Sequence, residues 1–175
     1  GFANWFDNFI YAQDSGLTVD DLPLFQYAQG DARYMGLELE AEAPLAHVGD
    51  YTLMGNITGD VVRAELANGG GNVPRIPPAR LRGGLELRGD TLTVAGEVEW
   101  TAKQTRIAAF ETPTDGFTMV NASIDWKPFG ADGGVTLLLS ANNIFDVVGR
   151  RHASFTKDFV PLSGRDIRAT VRLSF

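Results

Sequence analysis

The stretch Leu81-Arg82-Gly83-Gly84-Leu85-Glu86-Leu87-Arg88-Gly89-Asp90-Thr91-Leu92-Thr93-Val94-Ala95-Gly96-Glu97-Val98-Glu99-Trp100-Thr101 decides the fold. Leu81, Leu85 and Leu87 alternate with Arg82, Glu86 and Arg88. Beyond Gly89-Asp90, Leu92, Val94, Val98 and Trp100 alternate with Thr93, Glu97, Glu99 and Thr101. Successive side chains of a strand point to opposite faces, so each half is a strand with one apolar and one polar face. Gly89-Asp90, taken as a two-residue primed turn, predicts an antiparallel hairpin. In that register Arg88 faces Thr91, Glu86 faces Thr93 and Arg82 faces Glu97, while Leu87, Leu85 and Leu81 lie beside Leu92, Val94 and Val98. The Arg82–Glu97 pair then falls on the polar side.

The same alternation recurs along the chain and defines about eight strands. The first lies within residues 2–13 and is aromatic-rich, with Phe2, Trp5, Phe6, Phe9 and Tyr11. The second spans about 26–43, where Met35, Leu37, Leu39 and Ala41 alternate with Gly36, Glu38, Glu40 and Glu42. Residues 51–64 form the third, and the hairpin above supplies the fourth and fifth. Val120, Ala122, Ile124 and Trp126 mark the sixth, and residues 135–147 the seventh. In the eighth, Ile167, Ala169, Val171, Leu173 and Phe175 alternate with Asp166, Arg168, Thr170, Arg172 and Ser174. In strands four, five and eight every charge keeps to the polar parity, so the sheet has two chemically distinct faces. The connections at 44–50, 89–90 and 128–134 are short, and those at 14–24, 65–78, 107–116 and 148–164 are long. Alternation of short and long is the signature of an antiparallel up-and-down meander with one trimmed and one elaborated rim, as in outer-membrane barrels.

Composition narrows the function classes. The chain has 175 residues, 15 basic and 22 acidic side chains and a net charge of −7, which disfavours nucleic acid as a partner. It has no cysteine, which removes disulfides, thiolate metal sites and cysteine nucleophiles. Apolar runs such as Leu137-Leu138-Leu139 are far too short for a transmembrane helix. The chain opens at Gly1 with no leader-like segment, and is read as a piece of something longer or a product of leader removal.

Alternation also fits a soluble β-sandwich. Strand length favours lipid, because ten or more tilted residues cross the apolar band whereas soluble strands have about five or six. Aromatics near strand ends, among them Trp100, Trp126, Phe129 and Phe175, suit interfacial girdles. The fold expected is therefore all-β, an antiparallel meander of about eight strands that is part of, or closes as, a transmembrane β-barrel.

Four motifs carry a family resemblance. Leu138-Leu139-Ser140-Ala141-Asn142-Asn143-Ile144-Phe145-Asp146 resembles the penultimate strand of TonB-dependent outer-membrane receptors. Gly164-Arg165-Asp166-Ile167-Arg168, with a strand ending at Phe175, resembles their closing strand. Arg33-Tyr34-Met35-Gly36-Leu37-Glu38-Leu39-Glu40 is similar to their aromatic-x-Gly-x-Glu-x-Glu strand, and Pro74-Arg75-Ile76-Pro77-Pro78-Ala79-Arg80-Leu81 to a proline-rich strand entry. The stretch from Arg151 to Asp158 looks most like receptors for zinc or other metals. The resemblance implies a Gram-negative outer-membrane barrel of about 22 strands around an amino-terminal plug, with residues 1–175 as one carboxy-terminal barrel segment lacking the plug. It further implies outer-membrane lipid, the plug domain and the TonB energy-transducing complex as partners, with the barrel assembly machinery reading Phe175. The expected function is energy-dependent uptake of a scarce nutrient (metal ion, metal chelate or siderophore-like ligand), not enzymatic catalysis. Two alternatives remain open at this point: a self-contained eight-stranded barrel with a structural or adhesion role, and a soluble β-sandwich binding module.

Candidate site residues are few. His152 and Asp158, in the long loop before Pro161, are candidate metal or substrate contacts, although two ligands fall short of a zinc site. A hydrolase reading of His152, Ser154 and Asp158 lacks any enforced triad geometry. Glu38, Glu40, Glu42, Arg82, Glu86, Arg88, Glu97, Glu99, Arg168 and Arg172 are expected to face the lumen, and His47 to sit in an inert short turn. Gly69-Gly70-Gly71-Asn72 lacks the Lys-Ser/Thr of a phosphate loop. No organic cofactor is indicated; a transported metal or chelate is the only non-protein group expected.

Overall fold

A computed structural model describes residues 1–174; Phe175, the expected assembly signal, lies outside the described residues. Eight strands follow in order: β1 (Phe2–Val19), β2 (Leu22–Val48), β3 (Tyr51–Leu66), β4 (Arg80–Arg88), β5 (Leu92–Thr101), β6 (Phe117–Trp126), β7 (Val135–Asn142) and β8 (Asp166–Leu173). They form one antiparallel sheet in sequence order, a pure meander. Among the described residues β1 and β8 are unpaired with each other. The closed eight-stranded barrel is therefore not the arrangement adopted, and the sandwich alternative fails because the described residues form one sheet and no second.

Directly paired residues share a face, so the registers trace each face across the sheet. On one side Leu37 pairs with Val61, and Gly59 with Leu81. The same side continues through Leu81 with Trp100, Val98 with Val120, Ile124 with Leu139 and Leu137 with Val171. On the other, Glu38 pairs with Asp60, Thr58 with Arg82, Arg82 with Glu99, Ser123 with Ser140 and Ser140 with Arg168. The apolar side is bare of protein. Leu37, Leu85, Trp100, Trp126, Ile167 and Val171 are all exposed, whereas the buried apolar residues among those described are only Ala32, Ala64, Val73, Ala108 and Phe117. An uncovered apolar face spanning a whole sheet far exceeds the patch a soluble monomer tolerates. Its solvent is hydrocarbon.

Two expectations need correction. The connection at 14–24 is not a loop. β1 and β2 run on as a paired ribbon to Val19↔Leu22, and Asp20 and Asp21 make the tip with φ of 50° and 62°. Short aspartates tolerate that left-handed geometry, which a primed turn requires. The β4–β5 hairpin is also displaced by two residues, an even shift that keeps each side chain on its face. Arg88 pairs with Thr93, Leu87 with Val94 and Arg82 with Glu99, so Asp90-Thr91 form the turn and Gly89 N–H donates to Leu92 O at 3.0 Å. Gly89 is needed for packing instead: a Cβ there would lie 2.6 Å from the Tyr51 ring. Arg82 and Glu97 nevertheless meet, diagonally, at 3.6 Å.

Candidate functional site

The four long connections gather at one rim and tie to one another. At their base, Ala32, Ala64 and Val73 form a small core with Phe9, Tyr34, Leu66 and Ile76 packed on it. Phe6, Phe9 and Tyr34 stack there with centroids 5.3–5.8 Å apart. This cluster roots the β1–β2 ribbon where it leaves the sheet. The ribbon then leans on the β5–β6 loop through an edge-on Phe25–Phe110 contact at 5.0 Å.

Side chains that reach backbone groups bind the loops together. Glu111 of the β5–β6 loop accepts from Arg75 N–H of the β3–β4 loop at 2.7 Å and from Ala108 N–H at 2.9 Å. Asn72 donates to Ile107 O at 3.0 Å and Gln104 to Ile76 O at 2.9 Å. Thr112 donates to the Asp158 carboxylate at 2.8 Å. The β7–β8 loop is closed at its own base by Asn143, buried with φ of 49°. Its amide donates to Val147 O and Ser163 O and accepts from Val147 N–H at 2.8 Å. Asp146 accepts from Arg165 N–H at 2.8 Å. The Asn143-Ile144-Phe145-Asp146 signature is thus a loop clasp, made of the two residue types that tolerate left-handed backbone and accept from N–H groups.

Between the ribbon and these loops opens a cleft of about 780 Å³, walled by Phe9, Tyr11, Phe25, Tyr27, Phe110 and Phe155 together with Arg75, Lys157 and Asp158. The Arg75 guanidinium lies 3.5 Å from the Phe155 ring centroid, a cation–π arrangement. Arg75 and Lys157 have no carboxylate within 4.0 Å among the described residues.

His152 sits behind this cleft, not in it, and is 1% exposed. Its Nδ1 lies 3.1 Å from Thr114 Oγ1 and 3.5 Å from Lys157 Nζ. Lys157 also donates to Thr112 O, and its own carbonyl accepts from Arg150. An ammonium can only donate, so Nδ1 is the acceptor and Nε2 carries the proton. Nε2 is buried with no hydrogen-bond partner, 3.9 Å from Glu111 Oε1. Burial first, then the Lys157 ammonium, hold the imidazole below its ordinary value against the smaller opposite pull of Glu111 and Asp158. No group of three or more His, Asp or Glu among the described residues is placed to hold a metal. His152 and Asp158 each brace the β5–β6 loop, one on Thr114 and the other on Thr112. Ser154 bonds to Thr156, away from any triad geometry.

Glu38, Glu40, Glu42, Arg82, Glu86, Arg88, Glu97, Glu99, Arg168 and Arg172 lie on the polar face, whereas Arg33, Arg63 and Glu65, toward the long-loop rim, share the parity of Leu37 and Val61. Arg88 contacts Glu86 at 2.6 Å and Glu42 at 3.8 Å. Arg151 of the β7–β8 loop approaches Glu99 at 4.0 Å, and Arg168 meets Asp166 at 2.9 Å. Glu38, Glu40 and Arg172 are exposed on that face without an ion pair among the described residues. His47 is exposed near the short-loop rim, 3.2 Å from Thr52 Oγ1. Sequence reading missed Arg75, Glu111, Phe155 and the ribbon aromatics, because nothing local marks residues that meet from loops 36 or more positions apart.

The family model described as TonB dependent receptor-like, beta-barrel matches residues 1–144. Among solved structures, the copper transporter OprC superposes with a TM-score of 0.82 at 22% identity, over 99% of this chain and 28% of that one. The ferric-catecholate import receptor Fiu from E. coli K12, in a closed form, gives 0.67 at 16% identity, over 99% and 24%. The superpositions establish a shared fold, and the chain spans about a quarter of each structure. No curated relative matches. One open sheet with a bare apolar face, long loops on a single rim and a family match over most of its length define this chain, which belongs to the TonB-dependent receptor-like β-barrels of the Gram-negative outer membrane.

Proposed function

We propose that this chain is the carboxy-terminal wall and outer loops of an energy-dependent uptake receptor, and that its outer cleft takes a ring-bearing organic chelate or siderophore-like ligand in preference to a bare metal ion. The long-loop rim faces outward and the polar face lines the lumen, where Glu38, Glu40, Glu42 and Arg172 meet the plug domain. Lipid covers the apolar face. The TonB complex acts through the plug, and the barrel assembly machinery engages the terminal strand. The observation that carries the ligand reading is the aromatic wall of the cleft around the Arg75–Phe155 stack. A hydrated cation gains nothing from aromatic edges and needs several O, N or S donors, whereas a flat ligand ring gains about 0.5–1.5 kcal/mol per well-placed aromatic neighbour beyond its buried area.

The test uses the intact receptor in detergent. Binding of the iron(III) complexes of dihydroxybenzoate and of acetohydroxamate is compared with binding of Cu²⁺ and Zn²⁺ by fluorescence quenching. Binding of a ring-bearing complex that weakens about tenfold in Phe155→Ala, with no response to the bare ions, supports the reading. Tight binding of bare Cu²⁺ or Zn²⁺ that ignores Phe155→Ala sinks it.

A further inference from the structure

We propose that His152 is a proton-operated pin for the outer cleft: unprotonated at Nδ1 it holds Lys157 and Thr114 and so fastens the β7–β8 loop to the β5–β6 loop, and protonation there expels Lys157 and frees that wall of the cleft. The inference rests on the cleft being the ligand site. It starts from the one hydrogen-bonding pattern open to a neutral His152, with Nδ1 accepting and Nε2–H facing Glu111.

The groups facing the imidazole are few. From the β5–β6 loop come Thr114 and Glu111, and from its own loop come Lys157 and Asp158. Arg75 of the β3–β4 loop reaches it only through Glu111. A proton on Nδ1 ends its acceptor role toward Thr114 and sets a second positive charge 3.5 Å from the Lys157 ammonium. Lys157 is itself 6% exposed, so water screens little of that repulsion. When Lys157 withdraws, its bond to Thr112 O goes with it. That bond lies beside the Thr112–Asp158 bond, and the pair are the side-chain ties between the two loops on the cleft side. Glu111 opposes by attracting an imidazolium, but desolvation and Lys157 outweigh it.

The sign follows from linkage. A histidine held below its ordinary value in the fastened state binds fewer protons there than in the freed state. Fastening is complete above about pH 6.5 and is lost as the pH falls below that, levelling off beneath the lowered value. One proton limits the change in the freed-to-fastened ratio to about tenfold per pH unit.

This chain has no cysteine, so in the intact receptor, with any cysteine elsewhere replaced by serine, nitroxides can be placed through Ala109→Cys and Ala153→Cys, both exposed, and their separation measured by pulsed dipolar spectroscopy. From about pH 7.5 to about pH 5 the wild-type population should shift toward longer separations, by no more than about thirtyfold for a single proton with an ordinary value of about 6.5. His152→Gln should abolish the shift, and Lys157→Met, which removes the repulsion, should blunt it. Unchanged wild-type distances, or an equal shift in His152→Gln, overturn the proposal. The spin-label readout needs no ligand. Failure of every chelate to bind therefore strikes the cleft reading alone, while a static distance with intact binding strikes only the pin.

Discussion

Replacing Leu85 with arginine asks which solvent the apolar face meets. Leu85 lies mid-strand in β4, is 54% exposed, and pairs with Gly55 on one side and Gly96 on the other. Neither paired neighbour has a side chain to cover it. In water, Leu85→Arg trades one exposed side chain for a better solvated one and costs under about 0.5 kcal/mol. In a bilayer an arginine near the midplane of a barrel wall costs about 2–4 kcal/mol, a factor of roughly 30 to 800 in the folding equilibrium. Truncation has its own signature. Leu85→Ala removes three carbons; in a bilayer both their protein-facing and their lipid-facing surface is out of water, for about 2.4 kcal/mol at 0.8 kcal/mol per methylene, and about half of that if the exposed side met water. The assay is equilibrium unfolding of the intact receptor in lipid vesicles by guanidinium, followed by tryptophan fluorescence and heat-modifiable gel mobility. Glu86→Gln, on the opposite face, serves as the control and should move the midpoint little. If Leu85→Arg is as stable as wild type in vesicles, the face does not touch lipid and the barrel reasoning fails.

Gly89→Ala should cost about 1–3 kcal/mol, because the new methyl group meets the Tyr51 ring at 2.6 Å and overpacking has that scale. Tyr51→Ser should rescue most of the loss in the double variant, measured by the same unfolding assay. Asn143→Ala leaves Val147 N–H, Val147 O and Ser163 O without their partner and keeps a left-handed backbone. It should cost about 2–4 kcal/mol, read as faster amide exchange confined to the β7–β8 loop, and Asn143→Gly should recover only the backbone share.

Much of the wall was legible because parity is a local property. The leucines and charges of β4 and β5 declare their faces from a few residues of sequence, and an even error in register leaves that assignment intact. The register itself was not legible. Gly89 looks like a turn residue within its own hairpin, and the reason for it is a tyrosine at the start of β3. The ribbon was hidden for a similar reason: Asp14, Ser15 and Gly16 are loop formers taken singly, and cross-strand bonds such as Ser15 Oγ to Leu24 O carry the pairing past them to the turn at Asp20 and Asp21. His152 could be singled out by type, but its role depends on Thr114 and Glu111, which the fold alone brings to it.

Two of the three ladder irregularities, between Phe6 and Phe9 in β1 and between Pro44 and Ala46 in β2, each add a single residue and bear on how such a protein can change length over generations. Each ladder hands its parity to the next, so a single codon gained or lost inside a strand would turn the remainder of that strand inside out. A bulge absorbs the odd residue and restores the frame. Length variants of this wall should therefore come as paired residues within strands, as single residues at these bulges, or as any number in the connections at the outer rim.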